Sequence, residues 1–238
     1  MHLLEQTIAA IRPADATIMA AAQREIDYCL KPPGSLGKLE DIARQIAGIT
    51  GKVHNEIKKK AIVVMMADNG VYAEGIAMYP QDITRIGADF VTSGRMGVNF
   101  LANYAKADII AVDIGIQVEV DLPKVIKRKV RHGTANFLKE PAMTRVEAVQ
   151  AIAVGIEIAN QAIDEGYDLL GTGEIGIGNT TASSAVLYGF TEAHIDRVVG
   201  RGAGLTDEAF ERKKQVVKQA VELHRPNPKD ALDVLSKV

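Results

Sequence analysis

The 238-residue chain holds a single cysteine, Cys29, and no tryptophan. One thiol excludes an internal disulfide framework and any cysteine-rich metal site, fits a reducing compartment, and has burial as its default role. The five histidines, at positions 2, 54, 132, 194 and 224, are too scattered to form a local ligand pair, so no catalytic metal is expected. Charge of one sign is also scarce. With a net charge of -2 the chain lacks the broad basic field that nucleic acid or an anionic membrane requires, which leaves small molecules or other subunits as partners. No apolar run approaches the ~20 residues of a membrane span. The opening MHLLEQTIAAIRPAD carries acidic residues and no extended apolar region, so it does not read as a secretory signal. A soluble, cytoplasmic protein is expected. Neither G-x-G-x-x-G with its downstream acid nor a P-loop ending in G-K-[ST] occurs, which disfavours a dinucleotide-dependent oxidoreductase.

What the chain does have is an apolar content of 47%, enough for one large α/β domain with a small accessory layer. It is organised around residues 168–190, DLLGTGEIGIGNTTASSAVLYGF. Asp168 to Leu170 reads as the end of a strand; glycines follow at 171, 173, 176 and 178, and Asn179, Thr180 and Thr181 open a helical run. Glycines let backbone approach a ligand, and the first turn of a helix presents unpaired N–H groups to an anion, so this is a candidate phosphate cradle. A tight turn in a parallel sheet would leave the same pattern. Glu174 lies inside the turn, where an anion site would avoid a carboxylate; it faces solvent or serves a polar or cationic part of the same ligand.

In chain order, residues 2–12 and 14–30 have helical spacing, and KPPGSLGKLEDIARQIAGITG resumes as a helix that Ser35 caps and Gly51 stops. AIVVMMA, 61–67, is a strand buried on both faces. Asp68, Asn69 and Gly70 follow its carboxyl end, where open α/β sheets bind ligands, although Asn-Gly is also an ordinary turn pair. Residues 82–105 read as a helix or helix pair interrupted near 92–94. DIIAVDIGI, 108–116, is a second buried strand, and KVIKRKVRHG, 124–133, an exposed edge strand. A helix begins at Thr144 and runs to about Glu165. A last βα-like unit starts at Ile195, passes VVGRGAG and enters a helix over 206–224 capped by Thr206 or Asp207. GRGAG is a second glycine turn at a helix start. Lys213 and Lys214 lie two turns into that helix, either near the glycine turns or on a solvated face. DALDVLSKV, at the end, is amphipathic.

Taken together, KPPGSLGKLE, ADNGVYAEGI, RHGTANF, EPAMT, GEIGIGNTTASSA and GRGAGLTDE closely resemble the nicotinate-nucleotide:dimethylbenzimidazole phosphoribosyltransferases, in order along nearly the whole chain. The resemblance implies an α/β, Rossmann-like fold with a mainly parallel sheet flanked by helices, a small helical accessory domain and a homodimer. The domains expected are a helical segment over 1–55, the Rossmann-like body over 56–225 and the start of a truncated C-terminal segment over 226–238. It further implies transfer of phosphoribose from nicotinate mononucleotide to a base such as 5,6-dimethylbenzimidazole, giving α-ribazole phosphate and nicotinate with inversion at C1′ and no cofactor. The alternative, a non-catalytic nucleotide-binding protein or an inactive fragment lacking the C-terminal general base, would share every motif.

Carried over by motif, the resemblance assigns Glu174, Gly176, Gly178, Gly202 and Lys213 to the nucleotide phosphate and ribose, with Asn179, Thr180 and Gly204 beside them. The acceptor base falls to the side of Asp68, Asn69, Gly70, Gln81 and Arg85. Two departures stand out. Family members carry a proton-accepting carboxylate in a C-terminal G-E-G, which is absent here, so the catalytic residue is open and Glu174 is the possible substitute. A serine and a glutamine expected around IAMYPQDITR are replaced by Ala77 and Arg85, with Gln81 nearby, which points to altered base choice.

Overall fold

The computed structural model describes residues 2–191 and 193–238. They form two compact units, residues 2–58 and 59–238. The first is helical: α1 (His2–Ala10), α2 (Ala16–Tyr28) and α3 (Lys38–Thr50). Asp15 caps α2 through its carboxylate, and Gly48 of α3 lies against Met19 and Ala14, too close for any larger residue. Gly51 ends α3 in the left-handed conformation, as expected. Ser35 does not cap it. The cap position is Gly37, and the loop is tied down by the Glu40 carboxylate, which accepts from Lys31 Nζ at 2.7 Å and from the Leu36 N–H at 3.1 Å. Cys29 is exposed rather than buried, because it follows the last turn of α2.

The second unit contains β1 (Lys60–Ala67), α4 (Ile83–Thr92), α5 (Gly97–Ala105), β2 (Ala107–Gly115), β3 (Val125–Lys127), α6 (Arg145–Asp164), β4 (Leu169–Ile175), α7 (Asn179–Phe190), α8 (Ile195–Val198), α9 (Asp207–His224) and α10 (Ala231–Lys237). All four strands are parallel, in the order β3-β2-β1-β4. The α/β class read from the sequence is therefore the observed one. Neighbouring residues of β1 serve opposite faces: Val64 and Met66 pack with Ala88 and Val91 of α4, whereas Val63 packs with Val112 and with Ile158 of α6. A third cluster joins α7, α9 and α10 around Phe137, Ala185, Val217 and Val234.

Three element boundaries differ from the sequence reading. Strand β4 runs on to Ile175, because Gly171 and Gly173 continue the ladder with Ile62 and Val64 instead of turning. Only Val125–Lys127 of the 124–133 segment is strand; Arg128 and Val130 bond back to the ends of β2 as the chain leaves the edge. Residues Ile195–Val198 are a short helix, so no fifth strand forms there. Among the described residues α6 alone is long and apolar enough to cross a membrane, but its Val154 and Ile158 lie on the sheet.

Helix α6 begins with a reciprocal cap. The Thr144 hydroxyl accepts the Glu147 N–H, and the Glu147 carboxylate accepts the Thr144 N–H at 2.7 Å. These bonds, with Arg131 alongside, hold the Glu147 carboxyl below its ordinary pKa. The folded value is the lower one, so this stability is present above the ordinary carboxylate range and is lost as pH falls through the folded pKa. Thr144→Ala is expected to cost about 1 kcal/mol, a fall in Tm of roughly 2–4 °C, and to flatten the acid limb of stability. Thermal melts at pH 7 and 4 check this; an unchanged Tm at pH 7 would mean that the cap carries nothing.

Candidate functional site

The carboxyl ends of β1 and β4 abut so closely that Gly176 has no room for a side chain: a methyl there would lie 1.8 Å from the Ala67 carbonyl oxygen. Gly178 then caps α7 at φ 80°, a left-handed conformation that favours glycine. The turn is clamped from two sides. Asn69 donates both its backbone N–H, at 3.2 Å, and its side-chain amide, at 3.0 Å, to the Ile177 carbonyl. The buried Thr84 hydroxyl accepts the Ile177 N–H at 2.9 Å. Asp68 and Gly70 brace this junction from behind. Asp68 accepts the Gln117 N–H at 2.7 Å, and Gly70 donates to Thr134 Oγ1 at 3.1 Å.

In front of the turn lies a cleft of about 450 Å³. One wall is apolar. Ile83, Ile86 and Phe90 recur at helical spacing along α4, with Met78 and Met96 beside them, and this surface suits a flat heterocycle. The opposite wall is polar and comes from the β4–α7 turn, the 201–203 loop and α9.

Lys213 sets the electrostatics of that wall. It is fully buried, because it falls on the same stripe of α9 as Val216, Val217 and Ala220. The solvated-face reading of this lysine is therefore corrected. Its Nζ donates to Thr180 Oγ1 at 2.7 Å and to the Gly200 carbonyl at 2.9 Å. Among the described residues no carboxylate pairs with it, and burial lowers its pKa. Gly202 is pressed close: a methyl there would stand 2.9 Å from Thr180 Oγ1 and 3.6 Å from Lys213 Nζ. Two neighbouring cations are already committed. Arg201 pairs with Asp207, and Lys214 with Asp196 and Glu211. A buried cation with only neutral acceptors is costly, and an anionic ligand offsets that cost.

The cleft brings together Glu174, Gly176, Gly178, Asn179, Thr180, Gly202 and Lys213. The remaining sequence candidates, Gly204, Asp68, Asn69, Gly70, Gln81 and Arg85, do not line it. Gln81 is exposed, and Arg85 points to Asp82 in a two-pronged ion pair of 2.7 and 2.9 Å. The first turn of α7 is not an open anion site either, since Gly176 O takes the Asn179 N–H and Asn179 Oδ1 takes the Thr180 N–H. Thr84, Arg201 and the α4 face escaped the sequence reading. The spacing of Ile83, Ile86 and Phe90 was the available signal for the last, whereas nothing local marks Thr84.

Replacing Asn69 by alanine removes one bond from the clamp. It is expected to lower stability by about 1 kcal/mol and to loosen the turn, which thermal melts and exchange of the Ile177 amide would record. Unaltered exchange would count against the clamp.

Residues 11–238 match the model of a family described as phosphoribosyltransferase. Over 238 residues the chain is 49% identical to the nicotinate-nucleotide–dimethylbenzimidazole phosphoribosyltransferase of Clostridium tetani, covering 100% of this chain and 66% of that protein. It is 48% identical over 237 residues to the protein of the same name from Acetivibrio thermocellus, covering 99% and 67%. A crystal structure of CobT from Thermus thermophilus superposes with a TM-score of 0.88 at 40% identity, over 93% of this chain and 67% of that one. The chain thus spans about two thirds of the length of the relatives it matches.

Proposed function

The chain belongs to the phosphoribosyltransferase family matched over residues 11–238, and from that premise we propose that it binds nicotinate mononucleotide and transfers its phosphoribose to a benzimidazole-type base. The observation that carries this reading is the pairing, in one cleft, of a buried uncompensated cation with a slot of apolar side chains. The phosphate is assigned to Lys213 Nζ and Thr180 Oγ1, beside Gly202. The rings are assigned to the wall of Ile83, Ile86 and Phe90.

The chemistry asks little covalent work of the protein. The C1′–N bond of nicotinate mononucleotide breaks with its electron pair returning to the pyridinium nitrogen, so nicotinate leaves with a neutral ring nitrogen. The unprotonated nitrogen of the base forms the new bond from the opposite face, and the other ring nitrogen releases its proton. Positioning and charge stabilisation therefore dominate. Glu174 is the one carboxylate lining the cleft among the described residues, which supports it as the group facing the cationic ring. Gln81 and Arg85 are outside the lining, so base choice is assigned to the apolar wall and Ala77 instead.

We place the protein in the cytoplasm as a homodimer, a pairing for which the exposed Phe100, Leu101 and Tyr104 of α5 offer apolar surface. The test is to incubate the purified chain with nicotinate mononucleotide and dimethylbenzimidazole and separate the products. Formation of α-ribazole phosphate is expected. Absence of both product and nucleotide binding would overturn the assignment.

A further inference from the structure

Glu174 and Lys213 bring opposite charges to one cleft, yet they form no ion pair; between them stands the dipeptide Asn179-Thr180. The Asn179 side-chain nitrogen donates to both carboxylate oxygens of Glu174, at 2.8 and 3.0 Å. Its side-chain oxygen accepts the Thr180 N–H at 2.8 Å. The Thr180 hydroxyl in turn accepts from Lys213 Nζ. Chemistry alone fixes the orientation of this amide. Turned over, it would set an oxygen against a carboxylate and an NH2 against an N–H. Among the described residues no other group hydrogen-bonds the Glu174 side chain.

We infer that Asn179 is a positioning residue for Glu174: its amide holds the carboxylate at the β4 rim of the cleft and keeps it from Lys213, so that anion and cation serve opposite ends of one zwitterionic ligand. This rests on the function proposed above, since nicotinate mononucleotide carries an anionic phosphate at one end and, at the other, a cationic pyridinium nitrogen on a ring that also bears a carboxylate. Asn179 thereby leaves the phosphate-binding group in which its sequence position had placed it, and acts through Glu174.

Three variants test the idea. Asn179→Ala is expected to weaken binding of nicotinate mononucleotide about tenfold while leaving ribose 5-phosphate, which lacks the ring, within about twofold. In a Glu174→Gln background the same change should have almost no further effect. Asn179→Asp keeps an oxygen to cap the Thr180 N–H but sets a second carboxylate against Glu174. Two like charges then face each other, so the carboxylate leaves its place and affinity falls about as far as in Asn179→Ala.

A helix-capping role alone predicts that Asn179→Asp binds as wild type and that Asn179→Ala costs the same with or without Glu174; either result overturns the inference. NMR of the Asn179 side-chain amide needs no ligand and separates this from the function itself. A wild-type chain that fails to bind nicotinate mononucleotide removes the proposed function, while the response of that amide to Glu174→Ala still decides the positioning role. Its resonances should move markedly as both hydrogen bonds are lost, and resonances identical in both proteins overturn it.

Discussion

Lys213→Met is expected to weaken binding of nicotinate mononucleotide by about 30- to 300-fold while leaving the chain folded at equal or higher stability. The affinity loss follows from removing a charged donor from a site sheltered from water, worth roughly 2–3.5 kcal/mol. The stability gain follows from the same burial. The ammonium has two neutral acceptors and, among the described residues, no carboxylate, so an apolar side chain of similar length removes a desolvation cost without leaving a partner charge stranded. Methionine also suits the stripe formed by Val216, Val217 and Ala220.

The pH dependence has a definite sign. Burial lowers the Lys213 pKa below the ordinary lysine value, so in the window between the two the unfolded chain binds more protons than the folded one. Stability of the ligand-free protein should therefore rise with pH across that window, and the rise should be absent in Lys213→Met. Affinity for the phosphate should move the other way, falling as the ammonium deprotonates. Urea denaturation of both proteins at pH 7 and 10, with calorimetry at the same values, reads all of this. A variant that binds the nucleotide within twofold of wild type would place the phosphate elsewhere.

Gly176→Ala should have the largest effect on stability of any single methyl in the 168–190 stretch, about 3 kcal/mol or more, or a fall in Tm of roughly 6–12 °C. The obstacle is the Ala67 carbonyl, which is backbone and cannot swing aside as a side chain would. Nucleotide binding should fall with it, because relief requires the ends of β1 and β4 to part, and that carries the Ile177 and Gly178 backbone away from Asn69 and Thr84. The comparison is with Gly173→Ala, whose added methyl would meet nothing nearer than 3.7 Å. That variant should stay within about 1 kcal/mol of wild type. Gly171 falls between, because its nearest neighbour is the end of the flexible Ile62 side chain. Thermal melts of the three variants rank them, and equal losses would show that the abutment of β1 and β4 is not what constrains the turn.

These glycines also mark where sequence reasoning stops. Four glycines in eight residues announce a backbone approached closely by something, but spacing cannot say whether that neighbour is a ligand, a strand or a loop. Here Gly171 and Gly173 belong to the ladder, Gly176 to the abutment and Gly178 to the helix cap. The buried strands are legible because an uninterrupted apolar run such as AIVVMMA is long enough for a strand covered on both faces and too short for a buried helix. The helix at Thr144 is legible because its capping pair sits three residues apart.

Lys213 is obscured for a simpler reason. Its charge suggests a solvated face, although positions 213, 216, 217 and 220 form one helical stripe and an apolar stripe containing a lysine is itself a signal. Asn69 and Arg85 show the complementary difficulty. Both lie near the carboxyl end of a strand or the start of the next helix, yet one is turned to the Ile177 carbonyl and the other to Asp82. For Asn69 long-range packing decides the direction, across 108 residues of sequence, whereas for Arg85 a local pair three residues away does.

The central claim is that one cleft holds the phosphate at Lys213 and the rings against α4. Its most direct test is a crystal structure of the chain with nicotinate mononucleotide. Phosphate oxygens within hydrogen-bond distance of Lys213 Nζ and Thr180 Oγ1, with the pyridine ring on the Ile83, Ile86 and Phe90 face, is the predicted result. A nucleotide bound with its phosphate away from Lys213, or outside this cleft altogether, would contradict the account.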